Sequence, residues 1–196
     1  MWAGSNPLLT RTKGLALSLE IAMKTISHLA SILLIAAAIS TATSVQAGST
    51  PWGALAARSD SNPSLQSMLT YAIQDEYSAR AEYEAIMAKF GNMKPFSNII
   101  QSEQSHIAWL KDAYAARKLS VPADEASKHT VIPVTLKSAF EIGVQAEIAN
   151  IAMYDQFLAT EVVKKPENAT LKSLFTRLRD ASRNHLKAFQ RGLSKY

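Results

Sequence analysis

Residues 95–117 read PFSNIIQSEQSHIAWLKDAYAAR. Pro95 suits the first position of a helix, where its missing N–H costs nothing, and no proline or glycine interrupts the residues that follow. Spacings of three and four place Phe96, Ile99, Glu103, His106, Leu110 and Ala113 on one stripe. Phe96, Ile99, Leu110 and Ala113 suit a core; Glu103 and His106 do not. A helix that turns a carboxylate and an imidazole toward its neighbours needs partners that compensate them, so the rest of the chain is read for matching positions.

Three further segments have the same periodicity. The first helix is predicted over Pro63–Phe90, with Asn62 as N-cap, Pro63 opening it and Gly91 stopping it. Its seam is Leu65, Leu69, Ala72, Glu76, Ala79, Tyr83, Ile86 and Phe90. The second is the helix quoted above. A third begins after Thr135 with the seam Phe140, Val144, Glu147, Ile151, Tyr154 and Leu158. A fourth follows Pro166-Glu167-Asn168, with Asn168 as its cap, and carries Leu171, Leu174, Leu178, Ala181, His185 and Ala188. Strand-like alternation is confined to residues 130–135, where Pro133 interrupts it. The fold class is therefore all-α, a four-helix bundle. The short link at residues 91–94 and the break before Pro166 make two antiparallel hairpins. Residues 118–134 join them; 17 extended residues reach up to about 55 Å, while a 22-residue helix is only about 33 Å long. The connection can cross the whole bundle and leave the second and third helices parallel.

Each seam carries a residue that does not belong in an apolar core: Glu76, Glu103 with His106, Glu147 and His185. The other helical acids, Asp75, Glu82, Glu84, Asp112, Glu141, Asp155 and Asp180, fall off the seams. Buried carboxylates with nothing to compensate them cost several kcal/mol each, so positive charge must sit among them. Two sources are available. Arg80, four residues after Glu76, and Arg183, beside the fourth-helix position, could build an ion-pair network without metal; the other source is a metal pair. Glu103 and His106, one turn apart, present carboxylate and imidazole on one face, and two in-register histidines are not needed to neutralise acids that arginines can pair. Three carboxylates and two imidazoles suit Fe(II) or Mn(II), and Zn can also occupy such a site. Tyr83 lines the same seam, either as a packed aromatic or as a group that touches the site.

One Glu from each of two helices, with Glu-x-x-His on the others, looks like the ferritin-like diiron-carboxylate proteins. More narrowly, Pro95 to His106 together with Ser182-Arg183-Asn184-His185-Leu186-Lys187-Ala188-Phe189 resembles an uncharacterised prokaryotic branch of ferritin-like domains, over roughly residues 63–193. The resemblance implies Glu76, Glu103, His106, Glu147 and His185 as ligands of a centre with two Fe ions. It also implies the crossover topology and a ferroxidase-like or other diiron oxidoreductase chemistry with dioxygen or peroxide. One position departs from the diiron pattern: Ser182 stands where a Glu is expected three residues before His185. Its loss removes a bridging carboxylate, weakens the second metal position and with it the expectation of efficient oxidase chemistry.

The chain has 196 residues, 21 Lys+Arg, 16 Asp+Glu and no cysteine. Disulfides, Cys-ligated zinc, iron–sulfur clusters and thiol nucleophiles are excluded, and so is an internal rubredoxin-type electron relay. Met23-Lys24-Thr25, the apolar run Leu29 to Ile39 and Val45-Gln46-Ala47 read as a signal peptide cleaved after Ala47, with residues 1–22 an over-long start assignment. The apolar run is too short for a spanning helix. Removing residues 1–47 from 196 leaves 149, with 18 basic and 15 acidic residues spread along the chain, which gives no basic stripe for nucleic acid. The expected organisation is a flexible lead-in at 48–62 and the helical domain at 63–193, in a periplasmic or secreted monomer or homodimer without stable membrane insertion. The competing function is a metal-free helical binding or structural module outside the cytoplasm.

Overall fold

In the computed structural model, residues 51–196 are described; the expected signal peptide and its cleavage after Ala47 lie outside the described residues. The order is α1 (Gly53–Ser59), α2 (Leu65–Phe90), α3 (Phe96–Ala116), α4 (Leu136–Ala159), α5 (Glu161–Lys164) and α6 (Ala169–Leu193), with 3-10 turns at Ala126–Lys128 and Pro166–Asn168. No described residue lies in a strand.

Local chemistry sets the helix ends. α2 opens at Ser64 rather than Asn62, because the Ser64 hydroxyl accepts from the Ser67 N–H at 3.0 Å and takes one of the amides left free in a first turn. It stops at Gly91, whose φ of 93° is open to glycine and costly for other residues. Thr135 and Ser138 form a reciprocal capping box at the start of α4. Asn168 precedes α6 without capping it; its side-chain amide donates to Val162 O at 2.9 Å and ties α5 to α6 instead.

Contacts between helices fix the directions. Glu76 meets His106 and Thr70 meets Tyr114, so α3 runs antiparallel to α2. Tyr83 meets Glu147 and Glu76 meets Tyr154, so α4 also opposes α2. α3 and α4 are therefore parallel, as a crossover connection requires. α6 returns along α4: Phe140 packs at Gly192, Gly143 at Phe189, and Phe157 on Phe175. The glycines are needed there, since a Cβ on Gly192 would lie 2.0 Å from the Phe140 ring.

The core is split in two. One apolar cluster gathers Met68, Leu69, Ile73, Leu110, Phe157 and Phe175; the other holds Tyr83, Ile86, Phe96, Phe140 and Phe189. The polar seam residues lie at intermediate positions along the helices, between the two clusters.

Residues expected to be a flexible lead-in form α1, which docks on the bundle. Trp52 Nε1 donates to Gln74 O at 3.0 Å, the Gly53 N–H to Gln74 Oε1, and the Ala54 N–H to Asp75 Oδ1 at 3.0 Å. From α4, Gln156 donates to Ala57 O and Asp60 O. Ala57 is fully buried, and the Trp52 ring stacks on His129 of the connection at 4.5 Å.

Candidate metal centre

The five polar seam residues are brought together from four helices: Glu76 on α2, Glu103 and His106 on α3, Glu147 on α4 and His185 on α6. Glu76, Glu103, His106 and Glu147 are at most 2% exposed and His185 is 8% exposed. Their donor atoms form two groups, Glu76–Glu103–His106 and Glu103–Glu147–His185, and within each group these atoms lie within 4.8 Å of one another. Glu103 belongs to both. Its Oε2 is 2.9 Å from His106 Nδ1 and its Oε1 is 3.2 Å from His185 Nδ1.

Hydrogen bonding around these atoms is incomplete in a specific way. His106 Nε2 is engaged by Ser102 Oγ at 3.1 Å, which leaves Nδ1 facing two carboxylate oxygens, Glu76 Oε2 at 3.0 Å and Glu103 Oε2 at 2.9 Å. One N–H is thus shared between two acceptors, a bifurcated bond that satisfies neither carboxylate fully. His185 Nδ1 lies 3.2 and 3.4 Å from Glu103 and Glu147 oxygens yet makes no hydrogen bond, and Glu147 Oε2 has no partner either. Atoms that converge without bonding to one another suit a cation at their common centre. Carboxylate and imidazole donors are those that iron or manganese takes, so the residues fit a metal pair.

Charges are coupled across the site. Burial disfavours imidazolium, but Glu76 and Glu103 overcome it and lift His106 to about 10. Glu103 and Glu147 likewise lift His185 to about 9. Burial also opposes ionisation of Glu103, but the His106 hydrogen bond and the imidazole of His185 beside it outweigh burial and hold that carboxyl below its usual range. Glu76, buried beside Glu103, is pushed up despite His106.

Two tyrosines brace the acids. Tyr83 Oη donates to Glu147 Oε1 at 3.0 Å and Tyr154 Oη to Glu76 Oε1 at 2.8 Å. Burial raises both phenols well above their ordinary value, so they remain donors. Tyr83 thus touches the site. Arg80 and Arg183 do not: Arg80 pairs with Asp124 of the connection, and Arg183 with Asp180 at 3.1 Å. The ion-pair network imagined for these arginines is absent among the described residues. Ser182 is buried, but its hydroxyl donates to Leu178 O one turn earlier rather than to the acids.

Asn150 escaped the sequence reading. It is 4% exposed with Oδ1 unpartnered, one turn from Glu147 and one from Tyr154. Ile151, placed on the seam instead, is only half-buried. The available signal was a polar residue three positions after a seam glutamate.

The rubrerythrin family model matches residues 67–193, well over half the chain and all four long helices. Comparisons with curated proteins and with solved structures give no match.

Proposed function

The chain belongs to the rubrerythrin family, whose domains bind iron, and on that premise we propose that Glu76, Glu103, His106, Glu147 and His185 hold two metal ions, iron in the working protein, and that the protein oxidises Fe(II). The observation that carries the reading is the unsatisfied His185 Nδ1, which lies 3.2 Å from the shared carboxylate of Glu103 and 3.4 Å from Glu147 Oε1. Glu103 spans both positions, with Glu76 and His106 completing one and Glu147 and His185 the other. Bound iron would supply the one-electron redox change that dioxygen or peroxide can drive. Manganese or zinc is expected to enter the same donors.

The protein residues have separable tasks. Tyr83 and Tyr154 each occupy one carboxylate oxygen and fix its rotamer, leaving the second oxygen for a cation. Ser102 holds the His106 ring so that Nδ1, not Nε2, faces the centre. The apolar clusters on either side favour a water-poor, low-dielectric site in which charge interactions are strong. With no cysteine in the chain, electrons that return the metals to the ferrous state must come from a separate donor.

Metal analysis after anaerobic reconstitution with Fe(II) tests the reading: about two equivalents are expected, followed by a ferric absorbance on exposure to oxygen that grows faster than with free Fe(II). Less than about one equivalent refutes the metal centre; full loading without acceleration refutes the oxidase. Export is the second part of the proposal, supported by the charged start, apolar run and Val45-Gln46-Ala47. Protein recovered from outside the cytoplasm is expected to begin at Gly48, and a retained N-terminus would refute cleavage.

A further inference from the structure

Trp109 joins the metal centre to the molecular surface. It follows His106 by three residues on α3, so both rings lie on one side of the helix, with their centroids 5.4 Å apart. The His106 ring in turn stacks on that of His185 at 5.8 Å, so the imidazoles of both donor groups and the indole form one run of aromatic contacts. Tyr83 and Tyr154 also touch the centre, but both are fully buried. Trp109 is only half-buried. The run of contacts therefore ends on a side chain that solvent, or a molecule arriving from solvent, can reach.

A cation covers that outlet. The Arg177 guanidinium of α6 lies 4.0 Å from the centroid of the Trp109 ring, well inside the roughly 6 Å over which an aromatic face attracts a cation. Arg177 is itself exposed. On the same helix Arg179 and Arg183 pair with Asp155 and Asp180, whereas Arg177 rests on an indole. α6 also presents Lys172, Lys187 and Arg191 to solvent, and Asp180 is its one acid. On α3, the exposed Lys111 and Asp112 beside Trp109 offset each other. The surroundings of the indole are thus positive, and they favour the approach of an anion.

We propose that Trp109 and Arg177 form the electron-entry point of the centre, at which an anionic one-electron reductant docks. The inference rests on the metal-binding reading above, and it gives a place of contact to the separate donor that a chain without cysteine requires. Arg177 draws the reductant to the indole. Trp109 passes the electron on to His106 by tunnelling, with no bond to the indole made or broken. Each transfer converts one Fe(III) to Fe(II) and leaves the reductant oxidised by one electron, so two transfers restore a centre of two ions.

Flavin mononucleotide photoreduced to its hydroquinone is the anionic probe, and hexaammineruthenium(II) is the cationic one. The full chain, loaded with iron and oxidised, is mixed with each under anaerobic conditions in a stopped-flow instrument, and bound iron is measured alongside the loss of ferric absorbance. Arg177→Glu is expected to slow reduction by the flavin about tenfold at low salt and to speed reduction by the ruthenium complex, both effects fading as salt rises. Arg58→Glu, the same charge change at an exposed position of α1, leaves both rates as in the wild type. Trp109→Leu loses most of the limiting rate at saturating flavin with bound iron unchanged, and Trp109→Phe keeps much of it. A second readout needs no metal: in the stripped chain the Trp109 fluorescence, identified by its loss in Trp109→Leu, is quenched more by iodide than by caesium, and Arg177→Glu reverses that order. The inference is overturned if Arg177→Glu is reduced by the flavin at the wild-type rate, if it changes both probes alike, or if iron-loaded Trp109→Leu is reduced as fast as the wild type. Arg177 is exposed, so its substitution keeps the test decisive should Trp109→Leu load poorly. A wild-type chain that holds no iron removes the metal centre itself, a result distinct from a loaded centre indifferent to both substitutions.

Discussion

Glu103→Gln is the substitution that most directly tests the arrangement. Glu103 is the one side chain shared by both donor groups, 2.9 Å from His106 Nδ1 through one oxygen and 3.2 Å from His185 Nδ1 through the other. Glutamine keeps the volume, removes the charge and turns one ligating oxygen into an amide nitrogen that cannot bind a cation. Removing one partner from a buried charge pair costs about 3–5 kcal/mol, roughly a hundred- to several-thousandfold in dissociation constant, and here the loss applies to both positions. Glu76→Gln and Glu147→Gln each touch one group, so each should weaken one metal and spare the other. The assay is titration of the stripped protein with Fe(II) under anaerobic conditions or with Mn(II), followed by calorimetry and metal analysis. Two weakened equivalents for Glu103→Gln and one for each of the others is the expected pattern. If Glu103→Gln weakens a single equivalent, or all three variants behave alike, Glu103 is not shared and the two-position reading fails.

Metal affinity should rise with pH, because a cation must displace the protons that His106 and His185 hold up to about 10 and about 9. Calorimetry in buffers of different ionisation enthalpy should show about two protons released at neutral pH. In the metal-free protein the same raised values contribute stability in full below the unfolded histidine value near 6.5, and denaturant midpoints should fall as pH climbs through 9 to 10. Tyr154→Phe deletes the 2.8 Å hydrogen bond to Glu76 and should cost the metal-free protein about 1–3 kcal/mol in urea unfolding. Gly192→Ala puts a Cβ 2.0 Å from the Phe140 ring and should cost about 1–3 kcal/mol by overpacking, lowering the midpoint whether or not metal is present. Ser182→Glu should tighten the cation of the His185 group about tenfold or more, the worth of one added charge-assisted contact; unchanged binding would place residue 182 out of reach of the metal.

The four long helices and the five polar seam positions were legible because an amphipathic period makes an out-of-place polar side chain visible. Glu76, Glu103, His106, Glu147 and His185 stand out against apolar neighbours at the same spacing. α1 was not legible. Its seven residues are too few for a periodic signal, and Ala54 and Ala57 bury little apolar area; hydrogen bonds from Trp52, Gly53 and Ala54 to α2 dock it, and a pattern of hydrophobicity does not record them. Arg80 was placed beside Glu76 by its spacing of four, yet it turns to Asp124, a residue of the connection whose position no local spacing reveals. Asn150 and Ile151 were competitors for one seam. Hydrophobicity favoured Ile151, but the helix rotation that serves Glu147 and Tyr154 turns Asn150 inward.

That rotation also explains Ser182. Along the α4–α6 interface, Phe140 faces Gly192, Gly143 faces Phe189, Glu147 faces His185 and Phe157 faces Phe175, an unbroken antiparallel register. The same register sets Asn150 opposite Ser182, both buried and both uncharged. A carboxylate at either position would face a neutral partner in a nearly dry interface whenever no cation was present, at the several kcal/mol that an unpaired buried charge costs. Amide and hydroxyl avoid that penalty, so α4 and α6 can close before metal arrives. On the proposed reading the charge that would bind metal is concentrated in Glu76, Glu103 and Glu147, where His106 and two tyrosine hydroxyls donate hydrogen bonds and His185 lies 3.2 Å from Glu103. On that reading, stability without metal and affinity for it would then fall to different residues of the same helices: the neutral pair adds no unpaired charge to the interface, and the carboxylate of Glu103 is shared by both donor groups.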